Sequence, residues 1–180
     1  MLKINNNTCL FDGIKHHKSE NHNNRPKNIV IDTIIIHCIS LPEGSYGNDN
    51  IVDLFTNKID VNSDPTFESL KDIKVSSHLL IKRDGEIIQF VPFNLRAWHA
   101  GVSKHGDRVN CNDYSIGIEL EGTSKSKFTD IQYKNLNKVI LSLKDFYPKI
   151  VDENIIGHNE VSPDRKDDPG PYFEWEKIKV

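Results

Sequence analysis

Residues 29–37 read IVIDTIIIH, a β-branched run that ends at a polar residue. A continuous apolar run of this length suits a strand buried on both faces, as at the centre of an α/β sheet. A shorter run, Ile155-Ile156-Gly157, ends the same way at His158. Residues 76–82 and 86–91 read as two strands joined at Arg83-Asp84-Gly85, where the Asp-Gly pair favours a hairpin. SIGIELE, residues 115–121, is a further strand. A short helix is expected over 51–56, after the turn-rich LPEGSYGNDN. A longer one is expected over 129–147, where Ile131, Leu136, Val139, Ile140, Leu143 and Phe146 recur at three/four spacing. Thr129 suits its N-cap and Pro148 its end. Strands interspersed with a few helices predict an α/β or α+β layer, one sheet covered by helices.

With 180 residues, 37% of them hydrophobic, the chain is large enough for one domain with a real core. Its formal net charge of −3 argues against a nucleic-acid partner, since such proteins are usually basic. No apolar run approaches the ~20 residues of a membrane helix. The N-terminus MLKINNNTCLFDG lacks the apolar core and cleavage site of a signal peptide, so a cytoplasmic location is expected. A monomer with no membrane partner is expected as well. Residues 1–28 are rich in Asn, Lys and His and read as an irregular segment ahead of a folded unit over 29–180. His16, His17 and His22 read as part of a solvated loop. Cys9, Cys38 and Cys111 show no metal or redox spacing and read as reduced thiols, two of them buried.

His37 and His158 each stand at the end of a predicted strand, where sites collect in open α/β sheets. GHNEVSPDRKDDPGP, residues 157–171, adds Asp168 ten positions after His158. Two His and a carboxylate are a catalytic zinc set, with a fourth position open to water or substrate. Taken singly, each His is more often a hydrogen-bonded structural residue. Cys38 follows His37 on the strand and faces the opposite side, so it should not share a metal with it. Glu119 is either a solvent-facing edge residue or a base for a metal-activated water. Lys166 is either an ordinary loop lysine or an oxyanion donor. Trp98 is either a groove aromatic or core packing. His78 and His99 are further candidates, but both have ordinary hydrogen-bonding explanations.

IIIHCISLPEG, VSSHLLIKRDGEIIQFVPF, RAWHAGVS, CNDYSIGIELEGT, FTDIQY and GHNEVSPDRKDDPGP occur in this order over most of the chain. In these stretches the sequence resembles the AmpD-type 1,6-anhydro-N-acetylmuramyl-L-alanine amidases. They are a branch of the zinc N-acetylmuramoyl-L-alanine amidases, to which peptidoglycan recognition proteins are also related. The resemblance implies a central mixed β-sheet flanked by helices. It also implies Zn2+ on His37, His158 and Asp168, catalysis by Glu119 and Lys166, and Trp98 lining the substrate groove. The implied substrate is a small molecule, an anhydro-muramyl peptide of cell-wall recycling. Departures from the pattern fall at Cys38, where relatives often carry Asn, and at Lys74 and Asn110, where Arg is expected. Lys74 and Arg108 are therefore the candidate cations for the peptide carboxylates. Rival readings are an amidase acting on intact peptidoglycan and a non-catalytic muropeptide-binding module. A general metallopeptidase is disfavoured, because the HExxH helix is missing.

Overall fold

The structure is a computed structural model that describes residues 2–178. Met1, Lys179 and Val180, the outer ends of the two expected segments, lie outside the described residues. In chain order the strands are β1 (Lys15–His16), β2 (His22–Asn24), β3 (Thr33–Ile39), β4 (Leu79–Ile81), β5 (Ile87–Gln89), β6 (Leu95–Ala97), β7 (Lys104–His105), β8 (Arg108–Val109), β9 (Ser115–Glu121) and β10 (Ile155–Gly157). The α-helices are α1 (Asn50–Phe55), α2 (Asp130–Phe146) and α3 (His158–Val161). Six strands make one sheet in the order β1-β5-β4-β9-β3-β10. Only β4 and β5 pair antiparallel within it, so the sheet is mixed, as the family resemblance implies. Their connection is the expected Asp84-Gly85 turn, in which Gly85 adopts φ +92°. L side chains rarely enter that region, which is why glycine stands there.

β3 and β9 are the central pair, and every residue of β9 is buried. Period-two alternation splits them into two faces. Ile34, Ile36, Ile116 and Ile118 pack beneath α2 against Leu136, Val139, Ile140 and Leu143. The opposite face carries Ile35, His37, Gly117 and Glu119. On that side Ile35 packs with Ala100, Cys111 and Ile156, and α1 covers Leu80 and Ile88. α2 begins with a capping box in which Thr129 Oγ1 accepts the Gln132 amide and Gln132 Oε1 accepts the Thr129 amide.

Three expectations need correction. β3 starts at Thr33, not at residue 29, because Ile29 and Val30 are surface residues at 38% and 51% exposure. Residues 2–28 are not loose. β1 adds an edge strand to the sheet, β2 pairs with β6, and Phe11 is fully buried. Arg25 is largely buried and donates to the carbonyls of Phe93, Asn112, Asp113 and Ser115. Backbone pairing and a single arginine anchor leave little trace in composition, which is why the segment reads as irregular. Finally, only Cys111 of the three free cysteines is fully buried. Cys9 and Cys38 are partly exposed.

Candidate metal centre and catalytic cleft

His37 and Glu119 occupy paired positions on the parallel strands β3 and β9, so their side chains leave the same face of the sheet. His158 follows β10, the strand on the other side of β3, as the first residue of α3. Its turn is held by the Gly157 amide, which donates to Glu160 Oε1 at 2.8 Å. The chain then returns. The Asn159 amide donates to the Asp168 carbonyl at 2.9 Å, and the Lys166 amide to the Ser162 carbonyl at 2.9 Å. This closed loop sets Asp168 beside His158 and holds Lys166 over the same opening.

The result is a tight triplet. His37 Nδ1 lies 3.0 Å from His158 Nδ1, and each lies 3.1 Å from Asp168 Oδ2. All three residues are buried, and their ligand atoms fall within 4.8 Å of one another. The donor set fits a cation. His158 Nε2 lies 3.2 Å from the Ala100 carbonyl, which only accepts, so the proton of a neutral His158 sits on Nε2. Its Nδ1 lone pair then faces a carboxylate and a second imidazole, and a positive charge among them relieves that repulsion. Burial pushes His37 down to about 4 against the pull of Asp168, which keeps the imidazole neutral, the form that binds metals. The triplet can therefore hold a metal ion.

Cys38 stays outside this triplet, as alternation predicts, with Sγ 3.8 Å from the Pro169 carbonyl. Burial, with Glu119 and Asp168 nearby, pushes its thiol far above the usual range, so it is not a thiolate ligand.

Around the triplet opens a cleft of about 260 Å³ lined by Glu119, Lys166, Trp98 and an apolar wall that includes Phe55 and Ile73. A more polar pocket of about 410 Å³ shares Cys38, Ile39, Lys166 and Asp168 with it. Glu119 is only 9% exposed, and its Oε2 has no hydrogen-bond partner. Burial raises its pKa well above the usual carboxylate range, and Asp168 raises it further, while Lys166 opposes both. An unpaired buried carboxyl is costly for a fold and needs a use. Trp98 is half-buried, and its indole donates to Asn23 Oδ1 at 3.0 Å. Strand β2 of the N-terminal segment therefore supports the cleft.

The two candidate cations separate. Lys74 is exposed between Ile73 and Val75, both of which line the cleft, so it sits at the rim. Arg108 is not among the lining residues. It forms a bidentate pair with Asp32 at 2.7 and 2.9 Å and covers the Tyr114 ring at 3.5 Å. His99, a further candidate in the sequence, contributes a contact to the site beyond an ordinary structural hydrogen bond. Its Nδ1 lies 2.9 Å from His37 Nε2.

No helix among the described residues is long and apolar enough to cross a membrane. The sequence signature of N-acetylmuramoyl-L-alanine amidases matches residues 23–171. Over 168 residues the chain is 47% identical to the 1,6-anhydro-N-acetylmuramyl-L-alanine amidase AmpD of Escherichia coli (strain K12), covering 93% of this chain and 91% of that protein. Its fold superposes on the crystal structure of a Se-Met AmpD derivative with a TM-score of 0.93 and 43% identity, across 99% of this chain and 97% of that one. It also resembles the E. coli amidase AmiD, solved as a complex with the substrate anhydro-N-acetylmuramic acid-L-Ala-D-gamma-Glu-L-Lys, with a TM-score of 0.60 and 31% identity. That match covers 86% of this chain and 59% of the AmiD chain. The buried His-His-Asp triplet, the unpaired glutamate beside it and these likenesses along nearly the whole sequence lead to one conclusion: the chain belongs to the N-acetylmuramoyl-L-alanine amidase family.

Proposed function

We propose that this chain is a zinc enzyme of muropeptide recycling. It hydrolyses the amide between the lactyl group of 1,6-anhydro-N-acetylmuramic acid and the L-alanine of the stem peptide. The observation that carries the reading is the unpartnered, buried Glu119 carboxyl opening into the same cleft as the His37, His158 and Asp168 triplet. Those three residues would hold Zn2+. Bound there, the ion supplies a Lewis acid for the scissile carbonyl and brings the pKa of a bound water to about 7. Glu119 takes the proton of the attacking water and returns one to the leaving amine of L-alanine. Its apolar surroundings suit such an exchange, since they hold the carboxyl far from its solution value. Lys166, over the opening, holds the oxyanion that develops as water adds to the carbonyl. The carbon–nitrogen bond then breaks, leaving a lactyl carboxylate and a free peptide amine. Likeness to AmpD along nearly the whole of both chains supports the soluble, anhydro-sugar substrate over intact wall.

The test is direct. The purified protein, incubated with anhydro-muramyl peptide, should yield anhydro-muramic acid and free peptide by mass spectrometry. A chelator should abolish both products. Faster cleavage of intact peptidoglycan sacculi would replace the recycling reading with that of a wall hydrolase. Absence of turnover with the metal bound would leave a muropeptide-binding module.

Substrate contacts divide by burial. Trp98 presents a half-buried aromatic face for the sugar, and Lys74 presents an exposed ammonium for the peptide carboxylates. Aromatic contacts gain most when water is excluded, whereas an ion pair at an open rim contributes little. Trp98→Ala should therefore lower kcat/KM for the soluble muropeptide far more than Lys74→Ala does. Arg108→Ala should resemble Lys74→Ala in activity but also lose stability, because the pair with Asp32 goes with it. Equal small effects of Trp98→Ala and Lys74→Ala would remove Trp98 from the substrate site.

A further inference from the structure

We propose that His99 is a positioning residue that sets the tautomer of His37 and so aims the His37 Nδ1 lone pair at the metal position. The proposal rests on the reading of His37, His158 and Asp168 as zinc ligands. It follows from a chain of buried hydrogen bonds whose shortest link, from Ser115 to the Cys111 carbonyl, sets the direction of the rest.

The chain starts at Ser115, the first residue of β9. Its hydroxyl donates to the Cys111 carbonyl at 2.6 Å. A hydroxyl carries one proton, so toward His99 Nε2, 3.2 Å away, Ser115 Oγ can only accept. His99 therefore carries its proton on Nε2, and its Nδ1 is a bare lone pair. That lone pair lies 2.9 Å from His37 Nε2, which must donate to it. With its proton on Nε2, His37 turns a free Nδ1 toward His158 and Asp168. Ser115 and Cys111 are fully buried, and His37 and His99 are 1% and 9% exposed. Little water reaches the chain to offer a different partner.

The next residue completes the arrangement. The Ala100 carbonyl accepts His158 Nε2 at 3.2 Å, and Arg165 Nη2 also donates to it, at 2.6 Å. Two neighbouring residues thus orient both imidazoles. They are clamped together, because Asn112 Oδ1 accepts the His99 amide at 3.1 Å and the Ala100 amide at 2.8 Å. Gly117 supplies the space. A Cβ at that position would stand 2.6 Å from His99 Nδ1 and 2.7 Å from its Cδ2, so any larger residue displaces the ring. A glycine in the middle of a central strand otherwise weakens it, and close approach of another group is the physical reason to find one there. Groups that hold the second nitrogen of a metal-bound imidazole typically tune metal affinity by about 10–100-fold.

The experiment compares zinc affinity, read by chelator competition, in the wild type and in His99→Leu, His99→Asn and Gly117→Ala variants. Thermal unfolding of each metal-free protein runs alongside. His99→Leu should weaken zinc by roughly 10–100-fold. His99→Asn should recover most of the loss, because its amide oxygen can accept from His37 Nε2 where Nδ1 did. A purely packing role predicts the opposite order, since Leu fills the buried space and Asn does not. Gly117→Ala should weaken zinc without removing any hydrogen-bonding atom. Long-range proton–nitrogen NMR of the metal-free wild type should find the His37 proton on Nε2. A His37 proton on Nδ1, or wild-type zinc affinity in His99→Leu, overturns the proposal. A wild type that binds no zinc overturns the metal reading itself, and this proposal with it.

Discussion

His158→Ala is expected to remove tightly bound zinc and to abolish hydrolysis. His158 is 2% exposed, and its Nδ1 is one corner of a triangle with sides of 3.0, 3.1 and 3.1 Å. A three-ligand catalytic site has no spare member, since its fourth position belongs to water or substrate. The loss of affinity should exceed the roughly 10–100-fold that follows removal of a ligand's hydrogen-bond partner. Losing an imidazole also leaves the Asp168 carboxylate buried beside one neutral His37, an unfavourable place for a lone charge. His158→Gln keeps more of the side-chain volume and serves as the folding control. His37→Ala and Asp168→Ala should behave alike. Metal content per chain by elemental analysis decides the matter, and full occupancy in His158→Ala or His37→Ala would sink the ligand assignment.

Glu119→Ala is expected to keep the zinc and lose most of the turnover, by ~10²–10⁴ in kcat, the usual contribution of a positioned general base. The separation follows from geometry: Glu119 lines the cleft beside the triplet but is not one of its corners. Its Oε2 makes no hydrogen bond that folding depends on, and removing a buried, unpaired carboxyl relieves a desolvation cost. Metal-free Glu119→Ala should therefore unfold at a temperature no lower than the wild type. Lys166→Ala should lower kcat by roughly 10²–10³, with metal retained, if the ammonium holds the oxyanion. The double variant should fall short of the product of the two losses, since both residues act on one intermediate. Near-normal kcat in either single variant would take that residue out of the mechanism.

Much of the sheet and the long helix was legible because their information is local. SIGIELE and Ile155-Ile156-Gly157 form strands over those same residues, and the Thr129 cap begins α2. β-branched runs, alternation and an N-cap residue need no knowledge of distant contacts. The N-terminal segment was illegible for the converse reason. β1 is two residues long and is held by backbone pairing to β5, which any side chains could share. Arg25 resembles a solvated arginine in sequence and becomes an anchor only because four carbonyls from residues 93–115 converge on it.

The site divides along the same line. Residue types and their rough places were in the sequence: His37 in the apolar run of β3, His158 directly after β10, Glu119 within β9, and Asp168 in a stiff proline-glycine loop; His37 was expected at the end of its strand, but β3 continues to Ile39. That His37 and Glu119 share a face followed from period two once their strands were paired. Only the tertiary structure decided which groups meet. Asp168 returns to His158 because the loop closes through Asn159, and His99 reaches His37 because Gly117 leaves room for its ring. Arg108 goes to Asp32 and Tyr114 instead of the cleft. Pattern encodes the direction in which a side chain leaves its own strand or helix. The partner that a histidine or a guanidinium finds depends on a competition among groups far apart in sequence, which only chain closure settles.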